Sequence, residues 1–158
     1  MFIIEPHIHM IARTTQDYER MAMRHTVACC EPAFWAGYDR TSAAAFHDYF
    51  THITTFEPNR AAQYLIDHYA WIGMNPKEAE NIGLAREVLD FVPDFLDEPN
   101  VLGVGEIGLN KNTKNELEIF QRQVELAIQR DQLMWLHTPH LDDKLKGTRL
   151  MLDALAEF

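Results

Sequence analysis

Residues 1–10, MFIIEPHIHM, run apolar and then place two histidines one residue apart. Read as a strand over Phe2–His9, the stretch sends side chains alternately to two faces. Glu5, His7 and His9 share one side, and Ile4, Pro6 and Ile8 take the other. Four more short apolar runs follow: Thr26–Glu31 (TVACCE, ended by Pro32), Tyr69–Met74 (YAWIGM), Val101–Ile107 (VLGVGEI) and Leu133–Thr138 (LMWLHT). Stretches of helical period separate them, at Thr15–Arg24, Ala43–Phe56, Arg60–Asp67, a stripe from Leu84 to Phe95, and Thr113–Arg130, with Asp142–Phe158 after the last. Pro93 is expected to kink or shorten its helix. Thr113 and Glu116 have the spacing of a capping box, ahead of a buried face formed by Leu117, Phe120, Val124 and Ala127. Strand-like runs alternating with helices imply an α/β fold of β/α units around a mostly parallel sheet.

Composition sets the outer limits. With 158 residues, 47% of them hydrophobic and 24% charged, the chain reads as a single globular domain over residues 1–158, without linker, repeat or low-complexity tract. A net charge of −10 opposes a broad nucleic-acid footprint, which needs clustered Lys and Arg. No apolar run approaches the roughly 18 residues of a membrane span, and no basic, apolar leader opens the chain, so a cytoplasmic protein is expected. Cys29 and Cys30 are adjacent and would face opposite sides of a strand, which fits small core residues in a reducing compartment better than a disulfide.

In parallel β/α folds, functional groups gather where strands end and the loops open outward. Here His7 and His9 end the first run, Glu31 the second, Glu106 the fourth and His137 the fifth, and Asn75 follows the third. Isolated buried ionisable groups are costly unless paired or metal-bound. Two hydrogen-bonded core histidines are one reading of HxH. A cation held by His7, His9, Glu106 and His137 accounts for all four donors at matching strand ends, since neutral imidazoles ligate a zinc-like ion at about 2.0–2.1 Å. Glu106 lies in GVGEIGLN, where glycines let the backbone approach closely, and its two oxygens suit it to bridge two cations about 3.5–4 Å apart.

The motifs EPHIHM, IGMNP, VGEIGLN and LMWLHTPH, in this order and at these separations, resemble the TatD-related metal-dependent hydrolases of the amidohydrolase superfamily. The resemblance implies a (β/α)8 barrel of TIM type, with His7, His9, Glu106 and His137 binding one or two divalent ions (Zn, Mn or Mg) and Glu106 both bridging and catalytic. It also marks departures. The family continues with a sixth-strand histidine and an eighth-strand aspartate, the expected general base. A full barrel takes roughly 200 residues or more, so the chain is expected to cover about five of eight β/α units. Glu5 stands where the family usually has Asp, Asn75 where it has His, and Asn110 where GLD is usual. HTPH lacks the arginine that often follows the fifth-strand histidine in nuclease members, which weakens a phosphate-binding inference.

The expected activity is hydrolysis of an ester, phosphodiester or amide in a small-molecule substrate by metal-activated water. Glu31, Trp35, Arg40 and His140 are the candidate substrate contacts, although Glu31 reads also as a partner orienting a histidine, and the aromatic excursion EPAFWAGYDR reads equally as a lid packed on the barrel end or as cover for a neighbouring helix. His25, His47, His52 and His68 read as structural, and Lys144, Lys146 and Arg149 as a solvated face. The rival reading is a catalytically silent half-barrel whose unpaired edge strands associate with another chain or a second copy.

Overall fold

The computed structural model describes residues 1–139 and 143–158. Five parallel strands form one sheet in the order β1 (Ile3–Glu5), β2 (Thr26–Pro32), β3 (Asp67–Ile72), β4 (Val101–Gly108) and β5 (Leu133–His137). The strands neighbour one another in chain order, so every crossover turns the same way and the helices collect on one face. These are α1 (Thr15–Met23), α2 (Ala43–Thr51), α3 (Glu57–Ala62), α4 (Ile82–Leu96) and α5 (Lys114–Gln129), with α6 (Lys144–Leu155) after β5.

Local chemistry explains most of the boundaries. Thr113 accepts the Glu116 amide at 3.1 Å and Glu116 reaches back to the Thr113 amide, which is the expected capping box at the start of α5. Ser42, Asn81 and Asp143 cap α2, α4 and α6 with side-chain oxygens in the same manner. Pro93 sits inside α4 without ending it. Most apolar faces meet in a main core, where Phe46, Phe50 and Ile53 from the α2 region, Val88 and Val92 from α4, and Phe120 and Val124 from α5 pack against Ile72, Val104 and Ile107 of the sheet, while Met10, Tyr18, Cys29, Ala61 and Ile66 form a smaller cluster under α1 and α3. Cys29 is buried, Cys30 half-buried, and both thiols are free.

Three expected elements differ. The first strand ends at Glu5, so His7 and His9 stand beyond it on an extended connection that still follows β2 through the Ile8 amide to the Cys30 carbonyl at 3.0 Å. The helix expected at 43–56 continues instead through a wide turn, His52–Phe56, in which the Glu57 amide reaches the His52 carbonyl five residues back, and passes directly into α3. Pro58, at the start of α3, has no amide to donate, and the wide turn accommodates it. The chain then leaves helical geometry at Leu65, which has φ +58°, so β3 begins at Asp67, two residues before the expected Tyr69.

Strands β1 and β5 are the sheet edges, and Ile4, Leu133 and Leu136 are exposed along them. Among the described residues no helix is long and apolar enough to cross a membrane.

Candidate metal centre

The site is organised around Glu106. Pairing of β4 with β5 passes from Gly105 opposite Trp135 to Ile107 opposite Leu136, which leaves Glu106 as the extra residue of a bulge. Bulges of this kind re-aim a side chain, and here the carboxylate swings to the C-terminal rim. The flanking glycines make this arrangement sterically feasible. A Cβ on Gly105 would stand 2.6 Å from Trp135 Cβ, and one on Gly108, where φ is +151°, would collide with the His137 carbonyl. The Glu106 amide donates to the Ala33 carbonyl at 3.3 Å, tying β4 to the loop after β2.

Both Glu106 oxygens are oriented from the protein side. His137 Nδ1 lies 2.8 Å from Oε1, and Asn75 donates through Nδ2 to Oε2 at 3.0 Å. His7, His9 and Glu106 each present one ligand-type atom, all within 4.8 Å of one another. The two imidazoles stand edge to face with centroids 5.0 Å apart, and His9 stacks on Phe34 at 3.8 Å. His9 is also held through the turn that follows it. Glu31 accepts the Ile11 amide at 3.0 Å, and Arg60 donates to the Met10 carbonyl at 2.7 Å. Asn75, Lys77, Trp35 and Phe34 complete a cavity of about 250 Å³ in front of the histidines and Glu106.

The electrostatics favour neutral rings around an ionised carboxylate. Burial, assisted by the neighbouring His7, pushes His9 down to about 4, with the Glu106 charge opposing only in part. Burial acts to raise Glu106, but the hydrogen bond and charge of His137, helped by His7 and His9, outweigh it and hold the carboxyl below its usual range. Two imidazoles and one carboxylate form a donor set suited to a zinc-like divalent cation with a coordination position left open. His9 Nδ1 and His137 Nε2 are buried and have no hydrogen-bond partner among the described residues, so both nitrogens are available to a cation at this rim.

The four expected metal-binding residues therefore gather at one rim, and of the three expected substrate contacts among the described residues only Trp35 joins them. The other two are corrected. Glu31 is fully buried, with Oε2 paired to His68 Nε2 at 2.8 Å and Oε1 used by Ile11, so no oxygen faces the cavity. Arg40 is buried against Glu78 at 2.7 Å, with its guanidinium 3.9 Å from the Tyr49 ring, and it donates to the Phe34 carbonyl at 3.2 Å. It braces the aromatic wall from behind. His140 lies outside the described residues. The sequence reading missed the grip of Asn75 on Glu106 and the presence of Lys77 at the rim. The Asn-Pro pair directly after β3 was the available signal, because an asparagine there caps the next turn and leaves its amide group free to point inward.

Comparison with known proteins gives the same outline. A solved TatD-like protein from Archaeoglobus fulgidus superposes with a TM-score of 0.81 at 26% identity, over 98% of this chain and 63% of that one. An uncharacterised metal-dependent hydrolase of Methanocaldococcus jannaschii is 25% identical over 149 residues, covering 90% of this chain and 55% of the relative. The chain thus spans a little over half the length of these relatives, and its sheet is the curled half of a TatD-like β/α barrel. The family model described as TatD related DNase matches residues 8–154, a span that includes His9, Glu106 and His137 at the rim and all of β2 to β5. On that match the chain belongs to the TatD-related DNase family.

Proposed function

We propose that this chain carries a metal-dependent hydrolase centre, in one domain over residues 1–158, with His7, His9 and Glu106 holding one divalent ion. His137 and the shared Glu106 are the ligands available to a second. The observation that carries the reading is the convergence of three donor atoms within 4.8 Å at a strand-end rim. Zn, Mn and Mg are the candidate ions, and an ion held there contributes Lewis acidity toward water and the scissile group.

The protein's own groups do the positioning. Asn75 and His137 lock the Glu106 carboxylate, Phe34 fixes the plane of His9, and the Phe34–Trp35 wall limits water on one side of the cavity. The bond cleaved is an ester, phosphodiester or amide. A small-molecule substrate is favoured over nucleic acid by the net charge of −10 and by the absence of an arginine in HTPH. The free thiols Cys29 and Cys30 support a cytoplasmic setting.

Zinc titration by calorimetry tests the centre. One or two equivalents should bind, with His9→Ala and Glu106→Gln each weakening binding while circular dichroism stays unchanged; no binding to the folded protein would overturn the assignment. A second reading rests on the exposed edges β1 and β5, which favour completion of the sheet by another chain, including a second copy. Size-exclusion chromatography combined with an ester, amide and phosphodiester panel separates the two. A monomer with turnover supports the first reading, and an inactive oligomer supports the second.

A further inference from the structure

Among the described residues, Lys77 is the one positively charged side chain lining the cavity in front of Glu106. It belongs to the short turn Pro76–Glu78, and the turn is capped by Asn75, whose Oδ1 accepts the Lys77 amide at 3.1 Å. The other end of the same Asn75 side chain grips Glu106. A single side chain thus sets the lysine backbone in register with the carboxylate of the centre.

Lys77 has no carboxylate partner among the described residues. Its neighbour Glu78 is committed to Arg40 at 2.7 Å, and Asp39 accepts the Trp35 indole N–H at 2.7 Å. Lys77 Nζ instead lies over the Trp35 ring, 4.6 Å from its centroid. In a chain with 24 acidic residues against 14 basic ones, a half-buried lysine answered among the described residues only by an aromatic face is unusual. Arg13 supplies an internal contrast: it lines the adjoining opening beside His7 and His9 but not the cavity that holds Glu106.

We propose that Lys77 and Trp35 form the substrate-recognition edge of this centre, accepting anionic oxygens, carboxylate or phosphoryl, attached to a flat or apolar group that lies along the Phe34–Trp35 wall. The inference rests on the metal-dependent hydrolase reading for its chemistry, but not for the binding event. The lysine supplies charge and up to three hydrogen-bond donors to the anion, and the indole supplies contact area while preventing the ammonium from folding back toward Glu106.

Binding of phenylphosphonate and of benzoate, with benzyl alcohol as the neutral control, tests it by calorimetry on both metal-free and zinc-loaded protein. Lys77→Met should weaken the preferred anion about tenfold in both forms and leave the alcohol unchanged, Lys77→Arg should retain most of the affinity, and Trp35→Leu should weaken anion and alcohol alike. Whichever of the two anions loses more in Lys77→Met identifies the oxygen chemistry read. Unchanged affinity in Lys77→Met overturns the proposal, as does an equal loss in Arg13→Met, which would make the effect one of net charge, or failure of the unaltered protein to bind either anion. Lys77-dependent anion binding to protein that takes up no zinc keeps this inference and discards the metal centre; zinc uptake with Lys77-independent anion binding does the reverse.

Discussion

Two glutamate–histidine pairs stand at strand ends of this sheet with the same 2.8 Å separation, Glu31 with His68 and Glu106 with His137. Each leaves one imidazole nitrogen buried and without a partner among the described residues, Nδ1 of His68 and Nε2 of His137. The pairs differ in what surrounds them. Both side chains of the first are fully buried, and the second Glu31 oxygen is used by the Ile11 amide. The second pair opens onto a cavity, with His137 about one-fifth exposed, and His7 and His9 converge on its carboxylate. An unpartnered nitrogen therefore does not mark a metal site. Convergence of several donors on an accessible space does, because only there can a cation exchange its hydration shell for protein ligands.

The contrast can be broken first by deleting the two histidines in turn. His68→Ala leaves the Glu31 carboxylate buried without its partner and should lower the free energy of unfolding by about 3–5 kcal/mol in urea titrations, with zinc stoichiometry unchanged. His137→Ala, at the open rim, should cost less stability, because Glu106 keeps its Asn75 hydrogen bond and faces the cavity, yet it should weaken zinc. The opposite pattern would reverse the assignment of structural and functional pair. Next in size, Glu106→Gln keeps the shape of the site but removes its anionic donor. Zinc affinity measured against a chelator of known strength should fall about 100-fold, whereas Glu31→Gln should leave it within a factor of about three.

Asn75→Ala sharpens the comparison further by removing the amide that holds Glu106 Oε2. An effect of about tenfold on zinc affinity is expected, and no effect would mean that His137 alone orients the carboxylate. The smallest expected effect concerns the closed side. Burial, with the Glu31 charge adding to it, pushes the Cys29 thiol up to about 12, and burial also raises Cys30. The thiolate is the reactive form, so near neutral pH Cys29 stays in its unreactive thiol form. A thiol reagent should leave native Cys29 unmodified, react slowly with Cys30 and faster as pH rises, and label both once the protein is unfolded. Rapid labelling of native Cys29 would show that the Glu31 side of the sheet opens.

Much of this was legible in the chain because the signals are local. Val101–Gly108 reads as a strand from its apolar run, and α5 from the period of its buried face and the Thr113–Glu116 box. The rim also showed through, since a parallel sheet with short loops brings its strand ends together. Other features carried no local signal. Pro6 to His9 continues the alternation of Phe2 to Glu5, so only the backbone pairing reveals that β1 stops at Glu5. Glu31 and Arg40 flank an aromatic segment and invite a substrate role, but the groups that claim them, His68 and Glu78, lie 37 and 38 residues further along.

Chain order, helix starts and the types of donor available for a cation were thus written in the amino acids alone, through apolar period and capping, forces that act within a few residues. Which charges are neutralised by neighbours and which remain available was decided by the fold, because a carboxylate becomes structural or functional according to the distant groups that packing brings within about 3 Å of it. Glu31 and Glu106 begin alike at the ends of β2 and β4, and the burial of one and the bulge at the other set them apart.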